Sequence, residues 1–375
     1  MKRVKAIILS LILILCLVIG SILFYIFLPS KTKELTNINY YVMSVGNANF
    51  TIVEKDFHAV LIDAGSGVDS TSENELKFAE IENSHSNRKS EQFFINNYQV
   101  SPKKKWTKAK TTSSKWAIDF MRNKAGIQYL DGIFISHKHS DHYDLVFEIL
   151  KSYEQDKTKV VAPLEYDNLT TTIIKNAPNW NGKVDTKFSK KYNFLGGTFE
   201  NLSSYSSNKT LKPLKERPWE DPNDTSQVIR FTADGNTVLV LGDLQNQGIL
   251  RDDKFMKKVE EKQTALLIAA HHSSDNSATL KVAELIGHSK YTIFSTTMAT
   301  SKWDKFSGGH KSMNPKPITE KLIKQFGNDA EFFVTGDLDS EFSKIPEKQT
   351  NSSFKWSSKT NKIEILNNTI LDSIK

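Results

Sequence analysis

The sequence predicts an α/β protein with sheets inside and helices outside, preceded by one N-terminal transmembrane helix. Two observations predict this architecture. Strand patterns rich in β-branched residues alternate with helical patterns from about residue 40 to residue 336, an order typical of layered α/β sandwiches. Before them, residues 6–29 form an apolar run without a single charge, long enough to cross a bilayer as a helix.

The composition excludes wholesale disorder, because 38% of the 375 residues are hydrophobic. The formal net charge is +7, and without Lys2, Arg3 and Lys5, which precede the apolar run, it is about +4. This is mildly basic and only weakly indicates an anionic partner. Cys16 is the single cysteine, so an intramolecular disulfide is excluded. Packing and bound metal must therefore hold the fold.

The apolar run is interpreted as an uncleaved membrane anchor. A cleaved signal peptide is the alternative, but its apolar core is usually shorter and is followed by small residues. Here the bulky segment 24–27 ends the run. Lys2, Arg3 and Lys5 precede it, which favours a cytoplasmic N-terminus. We therefore expect a single-pass protein of the cell membrane whose remaining chain is extracellular.

Four segments follow from this interpretation: a membrane anchor at 1–30, a spacer at 31–39, a globular domain at 40–340 and a C-terminal tail at 341–375. Within the domain, residues 81–115 form an insertion rich in lysine and arginine. A solvated surface loop is the simpler interpretation of this insertion, and an anion-binding loop is the alternative.

Three histidines and an aspartate gather directly after the apolar strand predicted at 132–136. Alternate residues of an extended segment point to the same side, so two of the imidazoles can reach one ion. Nitrogen and carboxylate ligands suit zinc, manganese or iron. The cluster, which we interpret as the centre of a metal site, consists of His137, His139, Asp141 and His142.

These residues resemble the HxHxDH signature of the metallo-β-lactamase superfamily. The closer resemblance is to the extracellular hydrolase domain of ComEC-like DNA-uptake competence proteins, through VGNAN at 45–49, LIDAG at 61–65, LGD at 241–243 and HHSS at 271–274. The resemblance implies a metallo-β-lactamase αββα sandwich. Two positions depart from the family pattern, because Asn49 replaces an aspartate and Ser273 replaces a glycine.

The remaining ligands must come from the second half of the chain, since no histidine lies between His142 and His271. Asp243 ends an apolar strand and is expected to bridge two ions, although a helix-capping role is the alternative. His271 follows a strand directly and is the preferred ligand. His272 is then expected to support the site or donate a proton. His310 is a further candidate for a distal ligand, and it is otherwise expected to contact substrate, to donate a proton or to lie in a surface loop.

The predicted site therefore holds two divalent ions, Zn²⁺ or Mn²⁺, and a neighbouring carboxylate, Asp63, that hydrogen-bonds the histidine loop. The predicted metal ligands are His137, His139, Asp141, His142, Asp243 and His271. The predicted catalytic residues are Asp141, His272 and His310.

The predicted reaction is metal-assisted hydrolysis by a metal-bound hydroxide. The resemblance implies a phosphodiesterase, and a nuclease acting on DNA outside the cell fits the basic insertion. A cell-surface esterase, phosphoesterase or lactonase is the second hypothesis. A metal-binding surface protein without catalysis is the third.

Overall fold

The computed structural model describes residues 37–46, 48–66, 69–72, 75–77, 112–154, 157–163, 169–186, 191–203, 222–250, 253–260, 263–274, 276–296, 315–336 and 345–369. All of them belong to one compact unit, Thr36–Lys375. Within these ranges, no helix has the length and apolar character needed to cross a membrane. The anchor predicted at 1–30 and most of the basic insertion lie outside the described residues.

The first sheet has eight strands in the order β17-β16-β1-β2-β3-β6-β7-β8. Pairing is antiparallel from β17 to β3 and parallel from β3 to β8. Numbered along the chain, its strands are β1 (Asn39–Val42), β2 (Phe50–Lys55), β3 (His58–Ala64), β6 (Tyr129–Phe134), β7 (Lys159–Val161), β8 (Lys183–Asp185), β16 (Phe354–Ser357) and β17 (Lys362–Ile365).

The second sheet has seven strands in the order β15-β14-β13-β12-β11-β10-β9. It repeats the same division, antiparallel from β9 to β12 and parallel from β12 to β15. Its strands are β9 (Lys191–Phe194), β10 (Gly197–Asn201), β11 (Ile229–Ala233), β12 (Asn236–Val240), β13 (Thr264–Ile268), β14 (Ser289–Phe294) and β15 (Glu331–Val334). A separate hairpin pairs β4 (Asp69–Ser72) with β5 (Glu75–Lys77).

Seven α-helices are described. They are α1 (Ser113–Asp119), α2 (Val146–Ser152), α3 (Leu169–Asn176), α4 (Asn246–Leu250), α5 (Asp253–Val259), α6 (Thr279–Ile286) and α7 (Pro315–Phe326). A π-helical turn, Phe120–Lys124, continues α1.

Three hydrophobic clusters separate four layers. In β3, Val60 and Ile62 belong to the cluster between the sheets, whereas Leu61 packs on the opposite face with residues of α1, α2 and α3. This alternation is the period of a strand that is buried on both faces. The outer face of the second sheet packs in the same way against α5, α6 and α7. The predicted α/β sandwich, with two sheets inside and helices outside, is thus confirmed.

The segment expected to be a C-terminal tail contributes two strands to the first sheet. Its strand β16 pairs with β1, aligning Phe354 with Val42 and Ser357 with Asn39. Phe354 and Trp356 are buried between the sheets. The sequence pattern misses this arrangement because the strand partners lie more than 300 residues apart, and polar residues flank each short apolar stretch.

A buried ion pair links neighbouring strands of the second sheet. Arg230 donates from Nη2 to the carboxylate of Glu200 over 2.6 Å, and the arginine side chain is only 3% exposed. Burial raises the pKa of Glu200, but Arg230 and Lys191 together lower it by more, so the net pKa lies below its ordinary value. Because folding lowers this pKa, the pair stabilises the fold above about pH 4.3, the pKa of the unfolded side chain. That stabilisation is lost as the pH falls.

We expect Glu200→Gln to lower the free energy of unfolding by about 2 kcal/mol at neutral pH, because the buried guanidinium loses its counter-charge. The difference from the parent protein should shrink below about pH 4. Urea titrations across this pH range would measure it. Glu364→Gln is the control, since its pair with Lys355 at 3.0 Å is exposed and should contribute less than about 0.5 kcal/mol. Equal losses in the two variants would contradict a special role for the buried pair.

Candidate metal centre

The sequence-predicted ligands meet at one edge of the sandwich, where the parallel strands of both sheets end. Asp63 lies near the end of β3, and the histidine loop follows β6. Asp243 follows β12, and His272 follows β13. Carboxyl ends of parallel strands share one edge of a sheet, and the facing sheets bring the two edges together.

Gly65 allows the histidine loop to approach β3. A Cβ atom at this position would lie 1.7 Å from the carbonyl oxygen of Asp141. The same carbonyl accepts a hydrogen bond from the backbone of Asn49, whose own carbonyl accepts from Gly65. Only glycine fits this contact, which explains the final residue of the LIDAG segment.

The possible ligand atoms form two groups, and within each group all of them lie within 4.8 Å of one another. The first is fully buried and the second includes the partly exposed His139. Asp243 belongs to both groups, as expected for a bridging carboxylate. The first group consists of Asp141, His142, Asp243 and His272, and the second consists of His137, His139 and Asp243.

The buried carboxylate of Asp63 orients the histidine loop. It accepts hydrogen bonds from the backbone nitrogen of Ser136 at 2.7 Å, from the Ser136 hydroxyl at 2.9 Å and from Nδ1 of His142 at 2.7 Å. Because the hydroxyl donates to Asp63, its lone pairs accept from Nδ1 of His137 at 3.1 Å. Both imidazoles therefore carry their proton on Nδ1 and turn Nε2 toward the site.

His272 is oriented in the same way from the second sheet. Its Nδ1 donates to the carbonyl oxygen of Ser295 over 2.7 Å. Its Nε2 then faces Asp141 Oδ2 at 3.2 Å and Asp243 Oδ2 at 3.5 Å. Nε2 of His142 likewise faces Asp243 Oδ1 at 3.1 Å. In a neutral imidazole these nitrogens present lone pairs to carboxylate oxygens, and only a positive charge between them relieves the repulsion.

The pKa values of the buried residues also indicate that the first ligand group requires positive charge. Burial lowers the pKa of His142 and His272, but the surrounding carboxylates raise both well above the ordinary value. Burial raises the pKa of Asp141, yet His142 and His272 lower it to about 2. A divalent cation would replace the two histidine protons, so its affinity should fall as the pH falls.

In the second ligand group, the histidines are not protonated and so do not balance the charge of Asp243. Burial holds the pKa of His137 well below its ordinary value, with His142 adding to the effect, and burial also lowers the pKa of His139. Both imidazoles are therefore neutral and able to act as ligands. Among the described residues, Nε2 of His137 is buried without a hydrogen-bond partner. The donor set therefore fits divalent metal in both groups.

The structure differs from the sequence-based expectation at His271 and His272. His272 lies in the first ligand group, whereas His271 lies in neither. Nε2 of His271 is 4.0 Å from Asp243 and accepts a hydrogen bond from the Asn223 amide at 3.1 Å. Its Nδ1 is 3.0 Å from the amide oxygen of Asn276. The lone pair of His271 is thus already used.

The cause of this exchange is a left-handed turn at the end of β13. His271, His272 and Ser273 have φ values of 47°, 47° and 70°, so the alternation of an extended strand does not continue through them. Ser273 therefore adopts a conformation that favours glycine. His310, the third predicted catalytic residue, lies outside the described residues.

Three residues of the site were not singled out by the sequence. Ser136 and Ser295 each follow a strand whose carboxyl end meets the metal centre, so strand-end position was the available signal. Asn223 lies in a short 3-10 turn, Pro222–Thr225, far from any motif. No pattern in the sequence indicates its contact with His271.

Comparison with known proteins gives neither a matching family model nor a matching curated protein. Among solved structures, the chain is similar to the metallo-β-lactamase fold protein YhfI from Bacillus subtilis, with 13% identity and a TM-score of 0.44 over 86% of this chain and 99% of that one. A diphosphatase from the PhnP family is 11% identical, with a TM-score of 0.39 over 73% of this chain and 96% of that one. The short form of human tRNase Z is 11% identical, with a TM-score of 0.32 over 83% of this chain and 99% of that one. These TM-scores are too low to indicate which reaction the chain catalyses.

Because Asp243 belongs to both ligand groups, we expect two alanine variants to differ in the amount of metal that they bind. The parent protein should bind two equivalents of Zn²⁺ or Mn²⁺, because it presents two ligand groups. Asp141→Ala removes a ligand from one group only and should retain one equivalent. Asp243→Ala removes a ligand from both and should retain none. Equilibrium dialysis with elemental analysis would measure the stoichiometry, with circular dichroism to verify folding. Equal losses in the two variants would contradict two sites with a common carboxylate.

We expect Asp63→Asn to weaken metal binding by roughly 10- to 100-fold. An amide group can no longer accept both the Ser136 and His142 protons, so His142 loses the interaction that holds its proton on Nδ1. Competition with a chromophoric chelator would measure the affinity. Asp131→Asn is the matched control, because Asp131 also contacts a histidine Nδ1, that of His58 at 3.0 Å, outside both ligand groups. Unchanged affinity in Asp63→Asn would rule out the proposed orienting role.

Proposed function

We propose that this protein is a metal-dependent hydrolase that cleaves phosphodiesters, with a nucleic acid outside the cell as its substrate. The observation that carries this proposal is the bridging position of Asp243 between two ligand groups. Such paired groups occur in enzymes that stabilise both the attacking and the leaving oxygen of a phosphoryl group. Bound divalent cations would supply Lewis-acid polarisation of the scissile bond and activate water for attack.

The residues of the chain prepare the site for this chemistry. Asp63 and Ser136 hold the imidazoles of the histidine loop from one sheet, and the Ser295 carbonyl holds His272 from the other. Because these side chains are buried, their orientation is set before substrate arrives, which is the condition for electrostatic stabilisation of a transition state.

Substrate access is expected beside the second ligand group. His139 is partly exposed, and the His271 side chain is 15% exposed, whereas His142 and His272 are at most 1% exposed. The scissile group would therefore approach from the side of His139. The imidazole of His271, which is hydrogen-bonded to Asn223, is also partly exposed and would contact a bound substrate.

An anionic substrate is favoured over a neutral one by charge. The stretch at 81–115 is rich in lysine and arginine, and basic residues attract nucleic acid without reading its sequence. The resemblance to DNA-uptake hydrolase domains supports the same substrate. The apolar run 6–29 supports an anchored location at the cell surface.

A cell-surface esterase or lactonase is the second candidate, since the same ligand set would also polarise a carbonyl group. Asn49 and Ser273, the two departures from the family pattern, motivate the third candidate, a surface protein that binds metal without catalysis.

The full-length protein, loaded with Mn²⁺ or Zn²⁺, should hydrolyse single-stranded DNA and bis-(p-nitrophenyl) phosphate but not a lactone. Asp141→Ala should lower kcat/KM on both diesters by about 100-fold or more, because several kcal/mol of transition-state stabilisation come from the metal site. Asp131→Asn is the control that should keep full activity. Turnover of the lactone alone would replace phosphodiesterase with lactonase. No turnover by protein that holds stoichiometric metal would favour the non-catalytic alternative.

A further inference from the structure

Two exposed aromatic residues lie next to each other at one edge of the first sheet, Phe57 in the turn between β2 and β3 and Tyr129 at the start of β6. Phe57 is 56% exposed and Tyr129 is 47% exposed, and Ile174 is the other large apolar side chain found exposed within the described ranges. The backbone nitrogen of Tyr129 donates to the carbonyl oxygen of Phe57 over 3.1 Å. His58 stacks on Tyr129 at a centroid distance of 4.7 Å. We call Phe57, His58 and Tyr129 the aromatic edge.

The backbone at Phe57 is unfavourable for a bulky residue. Its φ is 71°, and that of the preceding Asp56 is 52°. Glycine and asparagine adopt this left-handed conformation at lower cost than phenylalanine. Because the side chain is exposed, core packing does not compensate for the strain. An exposed aromatic ring held at a strained turn points to a role in binding.

The chain enters the domain at this same edge. Asn39, the first residue of β1, is aligned with Glu54 near the end of β2, so β1 begins beside the turn that carries Phe57. Seven residues, 30–36, separate the apolar run from the first described residue. Such a connection reaches at most about 25 Å. The chain that precedes the domain therefore joins it at the edge that carries Phe57.

Exposed lysines accompany the aromatic edge along the first sheet. β7 and β8 run parallel to β3, and β17 begins beside the end of β16, so their first residues lie at the same edge as His58. The exposed lysines at or within two residues of these strand ends are Lys157, Lys183, Lys359 and Lys362.

Two of the acidic side chains next to the aromatic edge face basic side chains, and the third, Glu54, accepts hydrogen bonds from Asn39 and from the backbone of Phe57. Asp56 lies 3.8 Å from Lys55, and Asp131 lies 3.0 Å from Nδ1 of His58. Aromatic rings combined with lysines are the composition that binds the boundary between lipid headgroups and hydrocarbon.

We propose that the aromatic edge, with its neighbouring lysines, rests on a lipid surface and inserts Phe57 and Tyr129 among the headgroups. This inference rests on the proposed membrane anchor, but it is independent of the proposed reaction. The metal centre lies at the opposite ends of the same strands, so this contact directs the site away from the membrane and toward soluble polymeric substrates.

The contact can be measured in the full chain reconstituted in lipid nanodiscs. In a Cys16→Ser background, single cysteines at Phe57 and Tyr129 would carry an environment-sensitive fluorophore, and nitroxide-labelled lipids would serve as the quencher. Ile174→Cys is the control matched for exposure, at 52%. Asn351→Cys, three residues before β16 begins, reports from the opposite edge. We expect at least about a twofold loss of fluorescence at 57 and 129, and no loss beyond that in detergent at 174 and 351.

A second variant separates lipid contact from folding. Phe57→Asn relieves the left-handed strain, so the protein should melt no lower than its parent, while quenching at position 129 decreases. Phosphatidylglycerol in the nanodisc should increase quenching at both edge positions. Quenching at 57 no greater than at 174 would overturn the proposal. So would protection at 57 that appears in detergent and grows with protein concentration, because a second copy would then cover the edge.

Discussion

Buried negative charge is the constraint on which the rest of this structure depends. Asp63, Asp141 and Asp243 are nearly inaccessible to solvent and lie at one edge of the sandwich. Isolated buried carboxylates are strongly unfavourable, so each must be matched by hydrogen-bond donors, imidazolium groups or metal. Asp63 is matched entirely by the protein, through Ser136 and His142. The other two are matched only when positive charge enters the site.

The architecture explains how these carboxylates come together. Each sheet is antiparallel in one half and parallel in the other, and the parallel halves deliver their carboxyl ends to the same edge. Each sheet also supplies a hydrogen-bond acceptor that holds histidine protons on Nδ1, Asp63 in the first and the carbonyl of Ser295 in the second. The ligand nitrogens of the two halves therefore face one another before any ion binds, which lowers the cost of organising the site.

The same strand directions give the domain two chemically different edges. Where the parallel strands end, acidic and imidazole groups are buried. Where they begin, Phe57 and Tyr129 are exposed among lysines. For the proposed membrane-anchored hydrolase, this separation would keep the lipid contact and the metal centre one strand length apart.

The sequence by itself determined the layered α/β class, the histidine loop after β6 and the carboxylate at the end of β12, because each depends on local periodicity and strand-end position. Tertiary structure decided the features that depend on backbone conformation at a turn or on residues far apart in the chain. The left-handed turn at residues 271–273 places His272, and not His271, among the possible metal ligands, and the carbonyl of Ser295 orients its imidazole. Strand 354–357 pairs with β1, more than 300 residues away, and strand 362–365 extends the same sheet by pairing with 354–357. Backbone conformation at a turn and pairing across the chain leave no periodic trace in the sequence, so only the folded chain could reveal them.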